Sequence, residues 1–402
     1  MGFSTFEHTY CYNGYKNYLF LYLYIYFFRI EVMYMRFTCE KSMLVTGLNI
    51  TGRTVAQKSA LSAIEGILCK AELGLSLTGY NMETAITYLI DAEVSDPGQC
   101  ILPAKLFGDI VRRLPEGPVT VVVDENYKVS IRAGYASFTI SAEAADDYPE
   151  LPDVGTGRAI RIPQASLKEL ITGTIFAVSE NQGRPIHTGV KFEVADDSVS
   201  AVAVDGFRLA RRTYRTPDAT GRDISFVVPS QSLKEVEKIL QDSEEEVAFT
   251  LGTKHILFNI GDATLICRLL EGDFLDWRKV VPTNCPVKLV ANVSDLASSI
   301  ERVGLIVSEK YKSPVRCVFS DQVLLLRTNT TIGAAEDRCS IAGDGKELEI
   351  GFNVRYLADA LRAIPSEEVV LELTNGLSPI VMTPVDDKHD FAYMVLPVRI
   401  KN

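Results

Sequence analysis

The sequence is poor in the residues and motifs that most often carry catalysis or bind metal. Its four histidines, at positions 8, 187, 255 and 389, form no H-E-x-x-H pair. It has no P-loop, no G-x-S-x-G and no G-x-G-x-x-G, and Gly155-Thr156-Gly157 falls in a linker, not behind a strand. Eight cysteines at 11, 39, 69, 100, 267, 285, 317 and 339 include no C-x-x-C pair. A secreted disulfide scaffold or a zinc site needs tighter clustering, so the thiols read as small buried hydrophobes in a reducing, cytoplasmic compartment. No cofactor and no metal are expected. No run is long enough to span a bilayer: the longest apolar stretch, Tyr18–Phe28, has 11 residues against the roughly 20 required. A small-residue cleavage site is also missing after it. Positive charge is in deficit, with a net charge of −11. Contact with nucleic acid would therefore need a basic surface segregated from an acidic remainder.

What is present is an ordinary packed chain, 47% hydrophobic and 23% charged, whose 402 residues suit two to four domains. Residues 1–34, crowded with Tyr, Phe and Leu, differ from the rest and read as a leader outside the fold. Met35 then opens "MRFTCEKSML", a first strand and helix. Three later segments match: "LPAKLFGDIVRRLP" (102–115), "VPSQSLKEVEKILQ" (228–241) and "FNVRYLADALRAIP" (352–365). Pro103, Pro229 and Asn353 mark three helix starts, spaced 126 (229 − 103) and 124 (353 − 229) residues apart. Counting from that residue, position +4 is apolar (Phe107, Leu233, Leu357) and +6 acidic (Asp109, Glu235, Asp359). Position +9 is basic (Arg112, Lys238, Arg362) and +11 apolar (Leu114, Leu240, Ile364).

Period-two strands broken by Asp-Glu-Asn, Gly-Thr and Asn-Gly follow each helix and mark antiparallel hairpins. The front halves keep the same order of elements. A repeat at such spacing predicts three tandem α+β domains, each of two βαβββ halves. The boundaries are expected at 35–155, 156–284 and 285–402, with linkers at "DDYPELPDVGTGR" (146–158) and "VPTNCPV" (281–287).

Steps of four and three place Lys105-Asp109-Arg112, Gln231-Glu235-Lys238 and Arg355-Asp359-Arg362 each on one helical face. Alone, each is a solvated face with intrahelical ion pairs. Repeated in related domains, they would line one mildly positive surface together with Lys168 and Arg302. No helix carries the Arg, Asn and Gln cluster of a major-groove reader, so weak and non-specific duplex contact is the expectation. "VAVDGFRLARR" (202–212) ends a strand in Asp205-Gly206 and sets Arg208 and Arg211 among apolar neighbours. It suits a phosphate site, a catalytic corner or the lip of a protein-binding groove.

From Met35 to Asn402 the chain resembles the bacterial sliding-clamp family, the beta subunits of DNA polymerase III. The resemblance rests on "MRFTCEKSML", "VDGFRLA" (204–210), "EGDFLDWRKVVP" (271–282), "EIGFNVRYLADAL" (349–361) and "YMVLPVRI" (393–400). It implies a DNA-clamp fold of three similar domains, each with two helices packed on antiparallel sheets, and a head-to-tail homodimer closed as a ring around duplex DNA. It also implies a processivity factor within the polymerase holoenzyme, not an enzyme in its own right. The resemblance further implies an apolar groove between the second and third domains for peptides of the polymerase catalytic subunit, the clamp loader and repair proteins. Carried over by motif, the groove takes Val204, Gly206, Phe207, Arg208, Leu209, Leu275, Lys279, Val280, Asn353, Tyr356, Leu377, Pro379, Met394, Leu396, Pro397, Val398 and Arg399. Arg and Asn would rim it and hydrogen-bond the ligand backbone. His187 joins the set where an aliphatic residue is usual, and a lone His beside a strand is more often structural. Phe207 stands where many relatives have His, and Leu275 where many have Pro. The DNA-facing set is Lys58, Lys105, Arg112, Lys168, Lys238, Arg302, Arg355 and Arg362. Phe138 and Ile140 of "SFTIS" would meet Ile306 and Val307 of "GLIVSEK" across the ring-closing contact, which would also cover an apolar sheet edge.

Two other readings stand beside this one. An enzyme could use Asp205 with Arg208, although a turn aspartate and its ion pair account for both more simply. A membrane-tethered adhesion or scaffold protein would use the aromatic leader as its anchor, whereas the clamp reading involves no membrane.

Overall fold

The computed structural model describes residues 35–400 except 156, 220, 222, 308–312, 321 and 344–346. The leader, residues 1–34, lies outside the described residues. The chain forms two compact units. The first runs to Asp153 and includes Gly261–Ile266; the second holds Val154–Ile260 and the chain from Cys267 onward.

The chain begins with β1 Met35–Glu40, α1 Lys41–Thr51, β2 Gly66–Ala71, β3 Leu75–Tyr80, β4 Thr84–Ile90 and β5 Glu93–Asp96. It goes on with β6 Gly98–Pro103, α2 Ala104–Arg113, β7 Pro118–Val123, β8 Lys128–Ala133 and β9 Ala136–Ser141. Next come β10 Ile160–Pro163, α3 Gln164–Thr172, β11 Gly189–Ala195, β12 Ser198–Val204 and β13 Arg208–Arg215. Then follow β14 Asp223–Pro229, α4 Ser230–Ile239, β15 Glu246–Leu251, β16 His255–Ile260 and β17 Ala263–Arg268. After a long connection the chain resumes with β18 Val287–Asn292, α5 Val293–Gly304, β19 Val315–Ser320, β20 Val323–Thr330 and β21 Gly333–Ala342. It closes with β22 Leu348–Phe352, α6 Val354–Arg362, β23 Glu368–Leu373, β24 Ile380–Pro384 and β25 Phe391–Val395. Apart from β5, this is a βαβββ module repeated six times, as the sequence repeat predicts.

Strand exchange couples the modules in pairs. The first strand of each module pairs antiparallel with the second strand of its mate. Thus β1 joins β7 and β6 joins β2; β10 joins β15 and β14 joins β11; β18 joins β23 and β22 joins β19. The two helices of each pair, α1 with α2, α3 with α4 and α5 with α6, lie against each other. A single module would leave its apolar helix stripe and sheet face exposed, and exchange buries both.

The local reasons are visible in the burial. In α1, Leu44, Gly47, Leu48 and Thr51 are buried, at steps of three, four and seven along one face. Phe107, Leu233 and Leu357, the apolar +4 positions, are all buried, as are Leu114, Leu240 and Ile364 at +11. Pro103, Pro229 and Asn353 are the N-caps of α2, α4 and α6, and Asn353 accepts a bond from the Arg355 N–H. In the first unit Phe37, Leu44, Leu77, Phe107, Val121 and Ile131 share one core beneath the sheet β5-β1-β7-β8-β9.

The second unit contains a twelve-stranded sheet in the order β14-β11-β12-β13-β25-β24-β23-β18-β21-β20-β19-β22. Its two module pairs are joined by the β13–β25 pairing, in register from Arg208 opposite Val395 to Arg212 opposite Phe391. Buried Arg212 reinforces the joint: its guanidinium donates to the Glu169 carboxylate at 2.7 Å and to the Ala363 carbonyl at 3.5 Å. Tyr393 of β25 donates to the same carbonyl at 3.2 Å.

Close approach of α1 to β3 depends on Gly79, where an added Cβ would lie 2.1 Å from the Thr51 carbonyl oxygen. The Gly79 carbonyl meanwhile accepts from the Thr54 hydroxyl at 2.9 Å. Neither backbone can move without breaking the helix end or the strand. Gly79→Ala is therefore expected to lower unfolding free energy by roughly 1–3 kcal/mol through overpacking. Urea unfolding of the full chain followed by circular dichroism checks this; an unchanged midpoint would show that α1 can move off the strand.

Candidate peptide groove and nucleic-acid interface

The apolar part of the candidate groove is a cluster in the second unit. Val202, Val204, Leu209, Val381 and Met394 are buried at its floor, and Phe274, Trp277, Val281 and Leu396 pack on them. Four of the residues expected there, Val204, Leu209, Met394 and Leu396, are thus brought together. Sequence reasoning missed Val202 and Val381, which alternate in strands and carry nothing to separate them from core. It also missed Phe274, Trp277 and Val281, although all three stand in "EGDFLDWRKVVP" and Trp277 is the chain's single tryptophan.

The hairpin turn between β12 and β13 forms one lip. Gly206 has φ of +92°, a conformation that favours glycine. The Asp205 carboxylate accepts from the Phe207 and Arg208 N–H groups at 2.8 and 2.9 Å, an Asx turn that sets the corner. Phe207 points outward, 60% exposed, and stacks on Tyr356 of α6 with ring centroids 6.3 Å apart. The chain beyond β25 is tied down by the Leu396 N–H donating to the Phe207 carbonyl and the Val398 N–H to the Gly351 carbonyl, both at 2.8 Å.

Arg208 takes a structural place in this lip. Its Nε donates to Asp205 at 2.9 Å and its Nη1 to Asp359 at 2.7 Å, while the guanidinium lies 4.5 Å from the Tyr356 ring centroid. The Asn353 side-chain oxygen likewise caps α6. Arg208 Nε and Nη1 and Asn353 Oδ1 are thus engaged within the fold itself, at the joint and the helix start. Lys279 is exposed and pairs with Asp276 at 3.1 Å. Leu275, Val280 and Val398 are partly exposed and Leu377 is 83% exposed. Leu377 and Pro379 lie in the turn between β23 and β24, outside the apolar cluster, and Pro397 and Arg399 lie in the tail.

His187 touches the groove at second hand. Its ring meets Phe274 edge-on, centroids 5.3 Å apart, and burial together with the Arg184 charge holds its pKa below the usual histidine value. Glu193 on β11 takes hydrogen bonds from Trp277 and Arg278 and pairs with Lys191 at 2.7 Å. Burial pushes its carboxyl up, but those bonds and the Lys191 charge outweigh burial and bring it down to about 2. A depressed folded pKa of this kind contributes stability above the usual carboxylate value, and that contribution is lost as pH falls toward 2.

On the helices, the acid at +6 pairs with the base at +9 in all three copies. Asp109 meets Arg112 at 3.0 Å, Glu235 meets Lys238 at 2.8 Å, and Asp359 meets Arg362 at 3.2 Å. Lys168 pairs with Asp242 at 2.9 Å and Arg302 with Asp337 at 2.5 Å, and Arg362 also reaches Glu301 at 3.1 Å. Lys105 and Arg355 lie on α2 and α6, both exposed. Lys58 is exposed in an irregular stretch after α1, not on a helix.

Phe138 and Ile140 lie on β9, which ends its sheet with β8 as neighbour; Phe138 is 41% exposed and Ile140 packs partly on the core. Ile306 and Val307 follow α5 half-buried, and the adjacent Leu305, which the motif comparison missed, is 83% exposed. Among the described residues no cluster of His, Cys, Asp and Glu could hold a metal ion, and no helix is long and apolar enough to cross a membrane.

Comparison with known proteins follows the same division. Residues 35–152, 161–276 and 278–399 match the N-terminal, central and C-terminal domains of the DNA polymerase III beta subunit. The chain is 30% identical to the beta sliding clamp of Staphylococcus epidermidis over 376 residues, which cover 91% of this chain and 99% of the relative. With the clamp of Staphylococcus aureus the identity is 31% over the same span. Among solved structures, the Bacillus subtilis sliding clamp superposes with a TM-score of 0.87 at 30% identity, covering 92% of this chain and all of that one. The Pseudomonas aeruginosa clamp bound to griselimycin gives 0.86 at 30%, covering 91% and 100%. The chain belongs to the beta sliding clamp family, the beta subunits of bacterial DNA polymerase III.

Proposed function

We propose that two copies of this chain close head to tail into a ring around duplex DNA and act as a processivity factor without catalytic activity. Its three clamp domains are taken as 35–155, 156–284 and 285–402. The observation that carries the reading is the helix face repeated in α2, α4 and α6, where each base is checked by an acid one turn back. Exposed pairs of this kind are worth little, about 0–1 kcal/mol, and yield readily to a phosphate. A ring held by topology needs that sort of surface: each firm phosphate contact would add affinity and friction. Phe138 and Ile140 at the β9 edge, facing Ile306, Val307 and Leu305 of the second copy, suit the closing contact because pairing removes an apolar edge from water.

The second activity of the ring is capture of short apolar peptides from the polymerase catalytic subunit, the clamp loader and repair proteins. The apolar cluster around Val204, Leu209 and Met394, with exposed Phe207 and Leu275 beside it, supports this, since apolar side chains gathered there suit Leu and Phe anchors. The seven cysteines among the described residues are all buried free thiols, which suits the cytoplasm.

The deciding experiment loads the chain on nicked circular DNA with a clamp loader and then linearises the circle. The protein is expected to run off the ends, and retention on linear DNA would overturn the topological reading. Reversing Arg112, Lys238 and Arg362 together to Glu is expected to cut loading several-fold while each single reversal does little; normal loading of the triple variant would remove these residues from the DNA face. In the groove, Phe207→Ala is expected to weaken binding of a fluorescein-labelled peptide with Leu and Phe anchors about tenfold or more. The thermal midpoint should stay put because the ring is mostly exposed. Equal affinity in wild type and variant would place the peptide elsewhere.

A further inference from the structure

Residues 269–286 connect β17 to β18 with one short turn of helix, Trp277–Lys279. No strand ladder holds the part that walls the groove, so side chains must. Phe274 is flanked by the His187 ring and by the Lys191 ammonium, 5.9 Å from its centroid. Trp277 lies between two guanidiniums, Arg278 at 4.4 Å and Arg211 at 5.2 Å from the ring. Three of these side chains, Lys191, Trp277 and Arg278, meet one carboxylate. Glu193 Oε2 accepts from Trp277 Nε1 at 3.3 Å and from Arg278 Nη2 at 2.9 Å. Its Oε1 accepts from Arg278 Nη1 at 3.3 Å and pairs with Lys191 Nζ at 2.7 Å.

The arrangement is a two-pronged carboxylate–guanidinium pair with an indole N–H added, on a side chain only 13% exposed. Glu193 itself lies outside the apolar cluster that Trp277 helps to build. We propose that Glu193 is a positioning residue for peptide capture, fixing Trp277 and through it one wall of the groove without touching the peptide. This rests on the groove reading above. Without the carboxylate, Lys191 and Arg278 lose the anion they share. Arg278 then loses the partner that holds it flat on the indole, and Trp277 is free to leave the cluster.

The single tryptophan makes the test direct. Trp277 emission and acrylamide quenching are recorded for the full chain as wild type, Glu193→Gln and Glu193→Ala. Binding of a fluorescein-labelled synthetic peptide with Leu and Phe as its apolar anchors is measured by anisotropy, and loading on circular DNA is measured in parallel. Glu193→Gln keeps size and one acceptor, so it decides the matter should the alanine variant not fold. The expected result is red-shifted, more quenchable emission and a Kd raised about tenfold, the equivalent of about 1.4 kcal/mol, with loading reduced as well because the clamp loader uses the same groove. Unchanged affinity in both folded variants overturns the proposal whether or not the emission moves. A wild type that binds no such peptide would instead remove the groove reading itself.

Discussion

Much of the second unit depends on the joint between β13 and β25. Backbone pairing brings two module pairs into one sheet, and three arginines on β13 extend the joint to either side. Arg208 reaches Asp359 on α6, Arg211 reaches Asp390 beyond β24, and Arg212 reaches the Ala363 carbonyl at the end of α6. Such partly buried, charge-assisted bonds are directional, so they fix the angle of the joint as well as its strength. The proposed groove would lie where β12 turns into β13, beside this joint.

Asp359 ties the two proposed functional surfaces together. One of its oxygens accepts from Arg208 at the groove lip, and the other from Arg362 on the helix face proposed to meet DNA. In the other two copies the corresponding acids, Asp109 and Glu235, also pair with the base one turn on, so the repeat has acquired an added use in its last copy. An acidic chain that works beside a polyanion needs cations that are present but restrained. Pairing every third-turn base with an acid provides that at small cost in stability.

The repeat was legible in the sequence because its signals are local. A helix start, an apolar residue at +4 and another at +11 report on one helix and its own strand, and all of them are buried where expected. Four residues of the apolar cluster, Val204, Leu209, Met394 and Leu396, were legible through family motifs. Others were not. Val202 and Val381 look like any strand valine until the tail and the connection cover them. That Arg208 reaches Asp359, 151 residues away, was not legible either, since a sequence cannot show which distant carboxylate holds a side chain. Glu193 gave no signal at all, because Trp277 and Arg278, which donate to it, lie 84 and 85 residues away in the chain.

Composition, periodicity and spacing by themselves determined that this chain is built of repeated βαβββ modules, with an acid–base pair on the outer face of three helices. They could do so because each of these features is decided within a few turns of chain. Only the tertiary structure decided which strands exchange, which arginines hold the joint, and that an irregular connection packs Phe274, Trp277 and Val281 on the apolar cluster. Those outcomes depend on contacts between residues far apart in sequence, where burial and charge pairing select a single partner from many chemically equal ones.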